Sequence, residues 1–262
     1  MSRIQRGGFN RSPSPTLEQL MPDAYISMGI TAENVASRRN IPRKRQEEFA
    51  LNSHFKAIEA KSNGYFRDEV VSITIPETNE EIGHELDGCM RESSLESMAR
   101  LKPAFIEDGV VTAATSSPLT DGASFSLVAS KRAVKEYNLT PMARIVSAAV
   151  VGVHPDEMGL GPIPSTRLAL KRAGLSVEDL DVIELNEAFS SQSLACIDEL
   201  SLPIEKINIH GGAIALGHPL GASGARIVGK TASLLQLNGG HYGLATMCIG
   251  GGMGIATILE RV

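Results

Sequence analysis

From Ala143 onward, short apolar runs alternate with stretches of helical periodicity, and this order constrains the fold more than any other feature of the chain. The runs at 143–153, 181–185, 207–210, 242–248 and 254–260 read as strands. Helical spacing covers 165–173, ended by Gly174, then 187–200, then 223–237, ended by Asn238-Gly239-Gly240. Such alternation predicts an α/β domain with a parallel sheet and right-handed crossovers. Gly250-Gly251-Gly252 joins the last two strands directly, so the final strand is expected to run antiparallel.

In parallel sheets ligands gather at the carboxyl ends of the strands, and three polar residues fall there in successive units: Asn186, His218 and Cys248. His218 stands inside the glycine-rich stretch from Gly211 to Gly224, where the backbone can approach a ligand closely. Pro219 restricts it, which suits general acid–base work; a surface histidine in a glycine-rich turn is the plain alternative. Asn186 could simply cap a helix. Cys248 could be a small buried apolar group, or a thiol whose pKa is lowered by the free amides of the turn that follows it. Cys196 reads as core and Cys89 as incidental. The loop around His218 lacks the Lys-Ser/Thr of a phosphate-binding loop. The glycines after Cys248 lead into a strand rather than a helix, which excludes a dinucleotide fingerprint.

The first 120 residues read as short helices, turns and one hairpin, without a large sheet. Pro13 and Pro15 act as breakers, and a short helix follows Thr31. A longer helix runs from Pro42 to Lys61, with Phe49, Ala50, His54, Ala57 and Ile58 on its buried stripe. Arg43-Lys44-Arg45 reads as a solvated face. Val71, Ile73 and Ile75 suggest an edge strand, and Ser93-Ser94-Leu95-Glu96 a capping box. Ser124 to Ser130 reads as a small-residue strand, followed by a helix to Tyr137. A net charge of −5 without a basic patch argues against nucleic acid, and no apolar run approaches a membrane span. The three cysteines lack zinc or disulfide spacing, so reduced thiols in the cytoplasm are expected.

Asn186-Glu187-Ala188-Phe189, the run from Gly212 to Pro219 and the run from Cys248 to Gly254 resemble the three carboxyl-half signatures of the thiolases. Met28 to Asn34 and Ser97 to Phe105 are similar to the loop domain of that family. The resemblance implies a thiolase-like fold: a loop domain at 1–120, a strand–helix remnant of the amino-terminal core at 121–140, and one complete βαβαβαββ core at 141–262. It implies thiolytic cleavage of a 3-ketoacyl-CoA to acetyl-CoA and a shortened acyl-CoA, with coenzyme A as substrate and no covalently bound cofactor. His218 then activates a nucleophilic cysteine and, with a water held by Asn186, lines an oxyanion hole. Cys248 is the acid–base at the acetyl carbon, and the Gly250 amide serves the other oxyanion hole. Arg91 lies near the nucleotide end of CoA, Ser97, Leu101, Phe105, Ala113 and Ser117 along the pantetheine, and Met28, Met158 and Phe189 at the acyl end. Ser27 stands where biosynthetic members often have histidine, which favours the degradative, β-oxidation branch over acetyl-CoA acetyltransferase.

One departure is large. Thiolases carry roughly another third of chain before the position matching Met1, and that part holds the acyl-accepting cysteine. None of the three cysteines here lies in a matching context. The expectation is therefore a chain inactive alone, completed by an amino-terminal thiolase segment or assembled as a homo-oligomer; the alternative is a non-catalytic CoA-binding module. The 223–237 helix, small around much of its surface, then lacks its partner helix, which predicts an exposed apolar patch beside 124–130.

Overall fold

A computed structural model describes residues 13–74, 78–79, 81–82 and 88–262. Its helices are α1 (Pro15–Leu20), α2 (Met28–Arg38), α3 (Arg43–Ser62), α4 (Leu95–Ala99), α5 (Lys131–Glu136), α6 (Pro162–Ala173), α7 (Ser190–Leu200), α8 (Ala213–Leu216) and α9 (Ser223–Asn238). Its strands are β1 (Ile73–Thr74), β2 (Glu81–Ile82), β3 (Ala143–Gly152), β4 (Leu180–Leu185), β5 (Tyr242–Ile249) and β6 (Met253–Arg261).

The main sheet has the order β3-β6-β5-β4. β6 is antiparallel to both β3 and β5, and only β4 and β5 form a parallel ladder. The sheet is thus mixed rather than mainly parallel, because the short glycine turn folds β6 back and inserts it between β5 and β3. Alternation along the strands assigns the two faces. Ile183, Leu185, Ala256 and Ile258 join the core beneath α6 and α7, whereas Val182 and Leu259 join Leu234 and Leu235 of α9. Local chemistry sets the helix ends. Proline opens α6, and Gly174 closes it in the left-handed conformation at φ 70°.

The expected strand at 207–210 does not form. Ile207 makes a single parallel bridge with Ile183, after which Asn208 turns to φ 43° and Gly211 to φ 81°. The Asn208 side chain takes over as the strand's substitute: Oδ1 accepts from Leu185 N at 2.9 Å and Nδ2 donates to Leu185 O at 2.8 Å. Nor is 124–130 a strand, since it pairs with no other strand of the described residues. Ser124 and Ser126 instead donate to the Ala222 and Ala225 carbonyls at the start of α9, leaving Phe125 93% exposed.

In the first half, β1 and β2 form a two-stranded antiparallel pair. Ile75, part of the expected edge strand, lies outside the described residues. Pro15 starts a helix rather than breaking one, because Ser14 caps it by accepting from Leu17 N. The capping box on α4 sits one residue later than expected, with Ser94 as the cap and Ser97 as its partner. Helix α2 starts at Met28 rather than after Thr31. Arg43 and Arg45 are not merely solvated. Arg43 donates to the carbonyls of Met98, Ala99 and Leu101 at the end of α4, and Arg45 pairs with Asp198 of α7.

Candidate active site

The chain from Leu185 to Phe189 leaves β4 before α7 begins at Ser190, so Asn186 lies on the connection as expected, and Glu187 lies there too rather than in the helix expected at 187–200. Asn186 N donates to Thr246 O at 3.0 Å, which sets it beside β5, two residues before Cys248. Its side-chain Nδ2 lies 3.4 Å from His218 Nε2. Two of the three landmarks therefore meet. The other ring nitrogen of His218, Nδ1, is 2.6 Å from the Ser223 hydroxyl. That hydroxyl donates its only proton to Pro219 O at 3.0 Å, so it accepts from Nδ1–H. The ring is then a neutral Nδ1–H tautomer whose Nε2 lone pair faces Asn186. Burial, followed by the Arg226 charge, lowers the His218 pKa to about 4, which keeps the ring neutral.

Glu187 organises the loop that carries His218. Its buried carboxylate accepts from Ser53 Oγ of α3 (2.7 Å), Asn208 Nδ2 (2.8 Å) and Ile214 N of α8 (3.2 Å). A Cβ on Gly212 would lie 2.1 Å from the Glu187 carboxyl carbon, which is why glycine stands there. Burial raises the Glu187 pKa, opposed by these three donors.

Cys248 belongs to a neighbouring apolar cluster with Ala32, Val111, Met158, Ala188 and Phe189, against which Phe105 packs. Phe105 and Phe189 meet edge to face, with centroids 5.9 Å apart. Met28 approaches the backbone of Gly250, where a Cβ would sit 3.6 Å from its sulfur. Met28, Phe105, Met158, Phe189, Cys248 and Gly250 are thus gathered around one apolar region. The thiol is not activated as expected. Burial pushes Cys248 up to about 12, and its backbone hydrogen bond offsets only part of that.

A cleft of about 260 Å³ opens between α3, α4 and residues 113–118. Arg91, Ser97, Leu101 and Ala113 line it, together with His54, Met98 and Ile214, which the sequence did not single out for binding. Ser117 is not in the lining; its N–H and hydroxyl both lie against Ala188 O, at 3.0 and 3.1 Å. The adjacent Ser116 and Pro118 do line the cleft, and Ser116 bridges to Phe189 while His218 N donates to Pro118 O. This segment connects the cleft to the Asn186–His218 edge.

A family model described as the thiolase C-terminal domain matches residues 139–261, and one described as the thiolase N-terminal domain matches residues 12–132. The chain belongs to the thiolase family. The 3-ketoacyl-CoA thiolases of Yersinia enterocolitica (serotype O:8 / biotype 1B) and Serratia proteamaculans are each 48% identical to it over 95% of this chain. It spans 66% of the length of these curated relatives. Human mitochondrial 3-ketoacyl-CoA thiolase, whose crystal structures include a complex with CoA, superposes with a TM-score of 0.85 at 39% identity, covering 99% of this chain and 67% of that one. The Bacillus anthracis acetyl-CoA acetyltransferase superposes at 0.86 and 40% identity, covering 99% and 68%. The thiolase signatures are thus carried by a thiolase fold. Ser53, His54, Asn208 and Ser223 act on the site from outside those signatures. Ser223, five residues after His218, is the one whose position in the sequence offered a signal. Among the described residues no helix is long and apolar enough to cross a membrane.

Proposed function

We propose that this polypeptide supplies the CoA cleft and the acid–base half of a 3-ketoacyl-CoA thiolase. Residues 1–120 act as the loop domain that holds CoA, 121–140 as the strand–helix remnant of the amino-terminal core, and 141–262 as the core bearing the reactive edge. The observation that carries this reading is the connection through 116–118. It joins the cleft lined by Arg91 to both the Cys248 cluster and His218.

The chemistry follows from protonation states. His218 offers a lone pair at Nε2, so it takes the proton of an attacking thiol; the Nε2–H so formed then donates to an oxyanion, with Asn186 alongside. Cys248 holds its proton, so in the cleavage direction it is the acid that protonates the departing acetyl α-carbon. Among the described residues the cleft lining carries Arg91 and no carboxylate, which suits a phosphate-bearing thioester, and Met28, Met158 and Phe189 suit an acyl chain. The attacking thiol is assigned to none of the three cysteines. Cys196 is fully buried, Cys248 is committed to proton transfer and Cys89 lies outside the Cys248 cluster, so none of the three supplies the attacking thiol. Buried thiols at Cys196 and Cys248 accord with a reducing, cytoplasmic setting. The 48% identity to 3-ketoacyl-CoA thiolases favours the degradative reaction over acetyl transfer.

Two assays test this. The chain alone is expected to bind CoA but not to cleave a medium-chain 3-ketoacyl-CoA. Mixed with a polypeptide carrying the remaining third of a relative, it is expected to gain thiolysis that Cys248→Ala and His218→Ala abolish. Turnover by the chain alone that is lost in Cys248→Ala refutes the assignment of Cys248. Cleft-dependent CoA binding that never yields turnover in any mixture supports the competing reading, a non-catalytic CoA-binding module.

A further inference from the structure

His218 follows α8 by two residues, and α8 has no side-chain cap of its own. Gly212 stands at its N-cap, so the first amides need acceptors from elsewhere. Two distant elements provide them. Glu187 Oε2 accepts from Ile214 N at 3.2 Å, and Ser53 Oγ of α3 accepts from Gly212 N at 3.0 Å. The same Ser53 hydroxyl donates to Glu187 Oε2 at 2.7 Å, so it is used in both directions. Ser53 and Glu187 are both buried.

Helix α3 presses on this loop at close range. A Cβ on Gly211 would lie 2.6 Å from the Ala57 Cβ and 2.8 Å from the Ser53 carbonyl oxygen, and Gly211 holds φ 81°. One residue along α3, His54 lines the cleft, and its Nδ1 accepts from Arg91 N at 3.2 Å. Ile214 connects the two sides. Its N–H is held by Glu187, while its side chain packs with Ala50 of α3 and Met98 of α4 and lines the cleft. The helix that walls the cleft therefore also holds the start of α8, from which the chain runs on to His218.

We propose that Ser53 is a positioning residue for His218: bonded to Glu187 and to Gly212 N, it seats the α8 loop so that the imidazole keeps its place between Asn186 and Ser223. This rests on reading His218 as the base of the reaction, and the experiment separates the two. Ser53→Ala leaves the Gly212 amide without its acceptor and Glu187 with two donors instead of three. A loosened loop admits water to His218, and water favours the charged ring. The charged groups facing these residues are Arg226 of α9 toward His218, and Lys56 of α3 and Glu184 of β4 toward Glu187. All three are untouched by the substitution. In ring-proton NMR of the full chain, Ser53→Ala is expected to raise the His218 midpoint by about one pH unit or more from its value of about 4. His241, exposed at the opposite end of β5, is the control and is expected not to move. Ser53→Cys keeps the shape but bonds weakly, so it is expected to follow alanine; Ser53→Thr keeps the hydroxyl and is expected to follow wild type. In the mixture with the remaining third of a relative, Ser53→Ala is expected to lower kcat roughly tenfold or more at unchanged KM, and Ser53→Thr to restore it. A serine that only stabilises the fold would lower the melting temperature and leave the His218 midpoint in place. That result in both the alanine and cysteine variants overturns the proposal, as does an unchanged kcat in an active mixture. A displaced midpoint in a mixture that never turns over keeps Ser53 as the residue that seats His218 and removes the thiolase reading.

Discussion

One hydroxyl decides which nitrogen of His218 carries the proton. Because Ser223 gives its own proton to Pro219 O, it can only accept from Nδ1, and the Nε2 lone pair is left toward Asn186. Nitrogen-15 correlation spectra of the neutral ring are expected to show the Nδ1–H tautomer. Ser223→Ala is expected to shift the ring toward Nε2–H while the fold stays intact; an unchanged tautomer in that variant removes Ser223 from the positioning role. The same ring makes a pH prediction. Its folded pKa of about 4 lies below the ordinary 6.5, so the unfolded chain takes up a proton that the folded chain resists. Its contribution to stability is therefore complete above 6.5 and lost as pH falls from there toward 4. The ring protons of His218 should titrate with a midpoint near 4, and a midpoint at or above 6.5 contradicts the buried, neutral assignment. His218 was legible because proline and glycine surround it; Ser223 needed the turn of α9 to bring it back onto the ring.

At the level of elements, glycines set how closely the sheet and its helices approach. A Cβ on Gly254 at the start of β6 would lie 2.0 Å from the carbonyl carbon of Gly161 ahead of α6. A Cβ on Gly161 would lie 2.3 Å from Met253 O. Both obstacles are backbone, which cannot rotate away. Gly161→Ala and Gly254→Ala are each expected to cost about 3 kcal/mol in urea denaturation, near the upper end for overpacking. Gly221→Ala, which meets open space, should stay within about 0.5 kcal/mol of wild type. Equal stabilities for all three would disprove the close approach. Helix ends such as Gly174 could be read from the chain because a left-handed cap is a local requirement. The absent strand at 207–210 could not, because the Asn208 side chain replaces ladder bonds there and periodicity does not register such a substitution.

Across the whole molecule, the segment beside the first turns of α9 is apolar and uncovered. Phe125, Leu127 and Val128 are 93%, 70% and 76% exposed, and Gly224, Ala225 and Gly229 of the helix are only partly covered. Surface of this kind binds hydrophobic dyes and promotes association. The chain is expected to bind such a dye and to associate with rising concentration in sedimentation experiments. The double variant Phe125→Lys, Leu127→Lys should reduce both without lowering the melting temperature, since these side chains bury little. A wild-type chain that stays monomeric and dye-negative would show that the surface is covered. The patch was foreseeable from the small-residue stripe of α9. Its open state depends on tertiary packing.

The family, the order of most core elements and the two strand ends that carry Asn186 and Cys248 were legible in the chain alone, because periodicity, caps and glycine-rich turns are local requirements written in consecutive residues. Tertiary structure alone decided that β6 lies between β5 and β3, that burial keeps the Cys248 thiol protonated, and that His54 faces the cleft beside Arg91. Those outcomes depend on desolvation and on hydrogen bonds between residues far apart in the chain. Such partners become neighbours only when the fold closes.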